Sequence, residues 1–210
     1  MAQINMTSIM QKLVIAATNS KSLENLAYGA AISKIADRKR KLIDEFEEHG
    51  VTQEIRAGAF ASSKYLDVGN LNSFIGFYPG QGEEHLDNIK DLFNKEIRVK
   101  KNAVNKRRGR NIAYFDFAVQ VPTLKQIWAK TPYPTGNDNI QRSGSWADAI
   151  ESRGIGGLEY YLYLFSKTSL SSRSGPAIQL NKGSKLNTGG GMGPIPYIRK
   201  LLNDFIKGSK

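Results

Sequence analysis

Six basic side chains, Lys100, Lys101, Lys106, Arg107, Arg108 and Arg110, fall between residues 100 and 110, and only Glu96 and Asp116 dilute them nearby. Ammonium and guanidinium groups gathered this closely suit contacts to phosphate oxygens, which hold a nucleic acid in place without reading its bases. Stacking aromatics are sparse here beyond Tyr114, which argues against sequence-specific binding of single strands. A competing account is that Lys and Arg on an exposed strand pair keep its edges from pairing with other chains. The clustering of the basic residues favours the polyanion account.

Other residues capable of chemistry are scattered. The two histidines, His49 and His85, each sit beside carboxylates (Glu47 and Glu48; Glu83 and Glu84), but neither has the ligand spacing of a zinc-binding helix. Both are expected at exposed helix ends. Ser143-Gly144-Ser145 lacks the flanking pattern of a nucleophile elbow. The glycines at 189–191 and 193 are followed by no Lys-Ser/Thr and preceded by no apolar strand, so they read as a hinge rather than a phosphate loop. Asp138, Asp148 and Glu151 form no defensible pair. The expectation is a protein with no catalytic residues, no metal site and no cofactor.

The basic cluster needs an element to present it. Ile97–Lys101 alternates, Asn105–Asn111 has turn composition around Gly109, and Ile112–Val121 alternates again before Pro122. In the return leg Ala113, Phe115, Phe117, Val119 and Val121 share one face, and Tyr114, Asp116 and Gln120 the other, as in a strand with one face on a core. This predicts a β-hairpin with a positive tip and a second strand central to a sheet. Leu23–His49 carries an amphipathic stripe, capped by Ser22 and stopped by Gly50, and predicts a long helix. Its run Arg38-Lys39-Arg40-Lys41 reads as a solvated face, with Asp44 and Glu45 four residues beyond Arg40 and Lys41.

Around these, Val51–Ile55 is β-compatible, Gly58–Asn72 reads as a loop, and Ser73–Tyr78 as a strand ending at Pro79-Gly80. Glu83–Lys95 has helical spacing at Leu86, Ile89 and Phe93. Thr123 caps a short turn over Leu124–Trp128, two prolines keep Thr131–Gly136 extended, and a short helix starts at Ser145. Leu158–Phe165 reads as an aromatic strand and Ala177–Leu180 as a short one. Residues 166–193 otherwise form an extended Gly/Ser-rich loop or arm, and Tyr197–Ile206 a terminal helix. Residues 1–20 read as an arm or a short helix. The expected fold is one α+β domain over 1–210. A long N-terminal helix and a terminal helix would pack on a mainly antiparallel sheet, with a long projecting β-hairpin and extended loops.

The totals agree with a globular chain: 210 residues, 40% hydrophobic and 23% charged. The net charge is +11 and the pI near 9.7, which calls for an acidic partner. The absence of Cys excludes disulfides, thiolate metal sites and Cys nucleophiles. No signal peptide and no run of about 20 apolar residues is visible, so no membrane association is expected.

The segments Thr131-Pro132-Tyr133-Pro134-Thr135-Gly136 and Ser143-Gly144-Ser145-Trp146-Ala147-Asp148-Ala149-Ile150, with Tyr160-Tyr161 and Pro196-Tyr197-Ile198-Arg199, resemble the neck proteins of tailed phages, the tail-completion or head–tail joining family. The positions carrying the likeness are Pro134, Thr135, Gly136, Trp146, Ile150, Pro196 and Tyr197. The chain is longer than the family's pattern, its Gly136–Trp146 spacing is wider, and residues 58–82 and 166–192 stand as insertions. The resemblance implies a non-enzymatic virion subunit, assembled in the host cytoplasm. It would form a homo-oligomeric ring with portal-adaptor, neck and tail proteins as partners, and double-stranded DNA would pass through its lumen. Head completion, tail completion and tail terminator are all open. The alternative is a basic nucleic-acid-binding protein acting as a monomer or dimer.

Overall fold

The computed structural model of the chain describes residues 11, 13–16, 19–65, 70–108, 113–133, 144–152, 154, 162–164, 177–179 and 193–208, without side chains at 73–74, 101–108, 113–114, 162–164 and 177–179. Helix predominates. The order is α1 (Lys21–Glu48), α2 (Gly50–Arg56), a 3-10 turn (Gly58–Phe60), α3 (Leu71–Ile75), α4 (Gln81–Glu96), β1 (Arg98–Arg108), β2 (Ala113–Gln120), α5 (Leu124–Lys130), α6 (Trp146–Ser152), β3 (Leu162–Leu164), β4 (Ala177–Gln179) and α7 (Ile198–Gly208). The strands form two separate two-stranded antiparallel sheets, β1–β2 and β3–β4. The α+β class stands, but in place of one sheet with β2 at its centre, β2 pairs with β1 alone among the described residues.

The chain divides into two compact units. Unit 1 is Met1–Arg40 with Asn94–Val121; unit 2 is Lys41–Phe93 with Pro122–Lys210.

In unit 1, α1 begins at Ser20, whose hydroxyl accepts the Leu23 N–H at 3.4 Å, rather than at the expected Ser22. Ile35, Ile97 and Val99 are buried, Tyr28 leans on Phe117 with ring centroids 5.6 Å apart, and Lys39 Nζ donates to the Asn94 carbonyl at 3.2 Å. The ladder pairs Arg98 with Gln120, Val99 with Val119 and Lys100 with Ala118. It then resumes with Val104 opposite Phe117, so residues 101–103 intervene where β2 advances by one. Such an irregularity re-aims a strand and sharpens its twist. β1 runs on to Arg108, through residues 105–108 that turn composition had assigned to the hairpin turn.

Unit 2 holds most of the described core. Phe46 packs edge-on against Phe93 (5.7 Å, 86°) and stacks on Tyr197 (5.9 Å, 16°), while Phe77 meets Trp146 edge-on (5.6 Å, 85°). These are the offset and T-shaped geometries that aromatic quadrupoles favour. Leu86, Ile89 and Phe93 of α4, and Ile198, Leu201, Leu202 and Phe205 of α7, turn their helical stripes inward. A Cβ at Gly82 would sit 2.7 Å from Ile55 and 3.0 Å from both Asn72 and Phe77, so the bare backbone there lets α4 close on α2 and α3.

Two strand expectations fail in this unit. Val51–Ile55 lies in α2, where Val51 and Ile55 are buried and His49 caps the helix. Ser73–Tyr78 is replaced by α3 and a short extended exit through Phe77. The cause is tertiary: buried Glu54 on α2 accepts the Leu71 N–H at 2.7 Å and so caps α3, and Asn72 Nδ2 donates to the Ile55 carbonyl at 3.1 Å. Periodicity in a six-residue apolar run cannot register such a partner. Gly50 opens α2 instead of closing α1, although α1 does end at Glu48. Of the aromatic strand expected over Leu158–Phe165, Leu162–Leu164 is β3; Ala177–Gln179 is β4, and the remainder of 166–192 lies outside the described residues.

Local chemistry explains the other helix starts. Thr123 and Gln126 form a reciprocal capping box at α5. Glu151 on α6 reaches the N-terminus of α7, accepting the Arg199 N–H at 2.7 Å and the Tyr197 N–H at 3.4 Å. Residues 131–133 lie antiparallel to 144–146 through the bonds Trp146 N–H to Thr131 O and Tyr133 N–H to Gly144 O.

Candidate nucleic-acid interface

β1 carries Lys100, Lys101, Lys106, Arg107 and Arg108; Arg110 lies outside the described residues. Lys100 is exposed, and the ladder sets Lys106 opposite Phe115, Arg107 opposite Tyr114 and Arg108 opposite Ala113. At the base of the pair Gln120 Nε2 donates to Glu96 at 2.7 Å, and Arg98 Nε to Gln120 at 3.4 Å. The fold thus presents five of the six residues on one strand.

Sequence reasoning missed a larger feature. Lys21, Lys34, Arg38, Lys39 and Arg40 of α1 belong to the same compact unit as β1. Unit 1 holds 14 Lys and Arg against four Asp and Glu, a net +10; unit 2 holds 16 against 15, a net +1. Nearly all of the chain's +11 therefore resides in one unit. The signal was the run Arg38–Lys41, read as a solvated face whose residues have partners four positions on. Lys41 does meet Glu45 at 3.7 Å, but Arg40 turns back to Asp37 at 3.6 Å. Both pairs are exposed and contribute little to stability.

In unit 2 charge is used for internal bonding. Arg56 donates to Glu47 through Nε (2.9 Å) and Nη2 (3.0 Å), and reaches Asp87 at 3.0 Å and Glu83 at 3.4 Å; Lys90 meets Glu47 at 2.8 Å. Burial pushes the Glu47 carboxyl up, but the hydrogen bonds and charges of Lys90 and Arg56 outweigh it and hold its pKa below the usual range.

The histidines are not the exposed helix ends expected. His85 is buried, its ring centroid 5.2 Å from that of Phe77, and its Nδ1 accepts the Trp146 indole N–H at 3.1 Å. His49 is half-buried beside Tyr197; its Nδ1 accepts the Val51 N–H and its Nε2 faces the Pro196 carbonyl at 3.1 Å, which assigns the ring proton to Nε2. Burial lowers both pKa values; Glu84 opposes the shift at His85 and the Pro196 carbonyl opposes it at His49. Nearby, the Tyr197 hydroxyl, fully buried and raised in pKa by that burial, lies 2.7 Å from Thr52 Oγ1.

The remaining singled-out positions are parts of the unit 2 core or lie beyond description. Trp146, Ile150 and Tyr197 are buried, Pro196 is exposed, and Pro134, Thr135 and Gly136 lie outside the described residues. Among the described residues no three metal-ligating side chains converge, and no helix is long and apolar enough to cross a membrane. No family model, curated protein or solved structure matches the chain.

Proposed function

We propose that the protein is a structural subunit of a tailed-phage neck ring, joining a DNA-filled head to a tail, with residues 1–210 acting as one virion component. The observation that carries the reading is the charge division: a compact unit of net +10 joined to a well-packed, nearly neutral one. A ring subunit needs both, a rigid body to close heterologous contacts and a positive element to face DNA. In this reading the β1–β2 pair projects as a long hairpin toward the lumen, and its Lys and Arg side chains, Arg110 included, meet phosphates without selecting sequence. The chain performs no catalysis; portal-adaptor and tail proteins are its neighbours.

The same +10 unit also favours a second reading, a monomeric or dimeric nucleic-acid-binding protein. Multi-angle light scattering with negative-stain imaging separates the two. Rings, formed alone or added to a purified connector, support the neck reading. A persistent monomer that binds duplex DNA with steep salt dependence overturns it in favour of the second.

A further inference from the structure

Two exposed features of the chain have complementary shapes. On α1, Ser22, Asn25, Leu26, Gly29 and Ala30 line a shallow surface depression. Leu26 is 67% exposed, Leu23 is exposed beside it, and a Cβ at Gly29 would meet nothing within 4 Å. Among the described residues, no charged side chain lines this hollow. In unit 2, the 3-10 turn lifts Phe60 until it is 86% exposed, the most exposed large apolar side chain among those described. Asn70 braces the turn by donating to the carbonyls of Ala59 (2.6 Å) and Ala61 (3.1 Å), so the ring stands on a fixed base.

The surrounding charges are opposed as well. The hollow belongs to the +10 unit, whereas the segment Lys41–Phe93 that carries Phe60 has ten acidic against four basic residues. Asp44, Glu48, Glu83, Glu84, Asp87 and Asp91 are exposed on it. Two copies meeting hollow to hollow would press like charges together, whereas hollow to knob brings opposite charges together. An apolar protrusion and a matching depression at different places on one molecule make a heterologous contact, which propagates into a ring or a filament.

We infer that Phe60 of one copy seats in the Leu26–Gly29–Ala30 hollow of the next, forming the head-to-tail contact of self-assembly. The inference deepens the neck reading and rests on it for ring closure, although not for the contact itself.

The chain has no Cys, so single cysteines can report the contact. Phe60→Cys and Ala30→Cys proteins are mixed and oxidised. The expected result is a disulfide-linked mixed dimer, with little homodimer from either variant alone. In sedimentation velocity, Phe60→Ala and Gly29→Leu should each weaken self-association at least tenfold, and their mixture should recover a one-to-one pair and nothing larger. Circular dichroism of each variant controls for folding; Phe60 is too exposed for its truncation to disturb a core. Rings that persist in Phe60→Ala without the cross-link overturn the contact and leave the neck reading standing. The cross-link within open filaments upholds the contact and overturns the ring. A chain that stays monomeric at all concentrations and gives no cross-link overturns the contact.

Discussion

Unit 1 and unit 2 use their side chains in different ways. Among the described side chains, unit 1 buries three large apolar residues, Ile35, Ile97 and Val99, and exposes Leu13, Ile15, Leu23, Leu26 and Ile32. Unit 2 buries twenty apolar residues and pairs its most buried charges with one another. One unit is held by packing. The other carries unbalanced charge, which repels itself until a polyanion or salt screens it. Folding energy and binding capacity are therefore separated along the chain, and each prediction below tests that separation.

The largest effect is expected in the unit 2 core. Trp146→Ala removes a fully buried indole, its packing on Phe77 and its bond to His85. The expected cost is about 3–5 kcal/mol, read as a lower urea midpoint. A cost below about 1 kcal/mol would mean that packing around Trp146 does not hold unit 2 together. Tyr197→Phe is subtler: the ring still stacks on Phe46, but the buried Thr52 hydroxyl is left without its partner, at an expected cost of about 1–3 kcal/mol. A neutral Tyr197→Phe would show that water replaces the missing hydroxyl.

Both histidines lie in unit 2, so mild acid should act there. Burial depresses the pKa of His85 and of His49 in the folded chain. The unfolded chain takes up protons near pH 6.5 that the folded one refuses. Stability is thus full above about pH 6.5 and declines as pH falls toward the depressed folded values. Protonation of His85 Nδ1 also removes the acceptor for Trp146. Urea midpoints at about pH 7.5 and about pH 5.5, on either side of the unfolded value, check this. Wild type should drop, and His85→Gln, which keeps an acceptor without titrating, should drop less. Equal midpoints at the two pH values would remove the histidines from the account. Glu47 adds a separate decline below about pH 4.5, since its stabilisation is present above the unfolded value and disappears as pH falls through the depressed folded one.

The parts of this fold legible in the sequence are those whose signals are local. The stripe of Leu42 and Phe46 marked α1, Leu86–Ile89–Phe93 marked α4, and Leu201–Phe205 marked α7, each within two residues at most ends. Thr123 announced α5 because its capping partner lies three residues away. What the sequence hid depends on distant partners. Glu54 and Asn72 turn an apolar run into α3, Trp146 occupies the ring nitrogen of His85 across 61 residues, and β1 outruns its expected turn because the ladder with β2 resumes after residues 101–103. The basic residues on β1 were visible as a cluster. Their union with α1 into one unit was not, because residues 41–93 separate the two in the chain.

The smallest effect on stability is expected where the effect on binding is greatest. Neutralising Lys106, Arg107, Arg108 and Arg110 to Gln touches no described core residue, so the urea midpoint should move by no more than about 0.5 kcal/mol in equivalent stability. Duplex DNA binding should weaken, and the slope of log affinity against log salt should shrink by about 0.9 for each phosphate released, or up to about 3.5 for all four. Sequence preference should not change, because phosphate oxygens carry no sequence information. Hydrogen exchange localises the outcome: DNA should slow exchange at β1 and β2 amides in wild type and leave the α4 and α7 cores unaltered. An unchanged salt slope in the four-residue variant would detach the strand pair from the polyanion. A drop in stability alongside weaker binding would show instead that the two units share their roles.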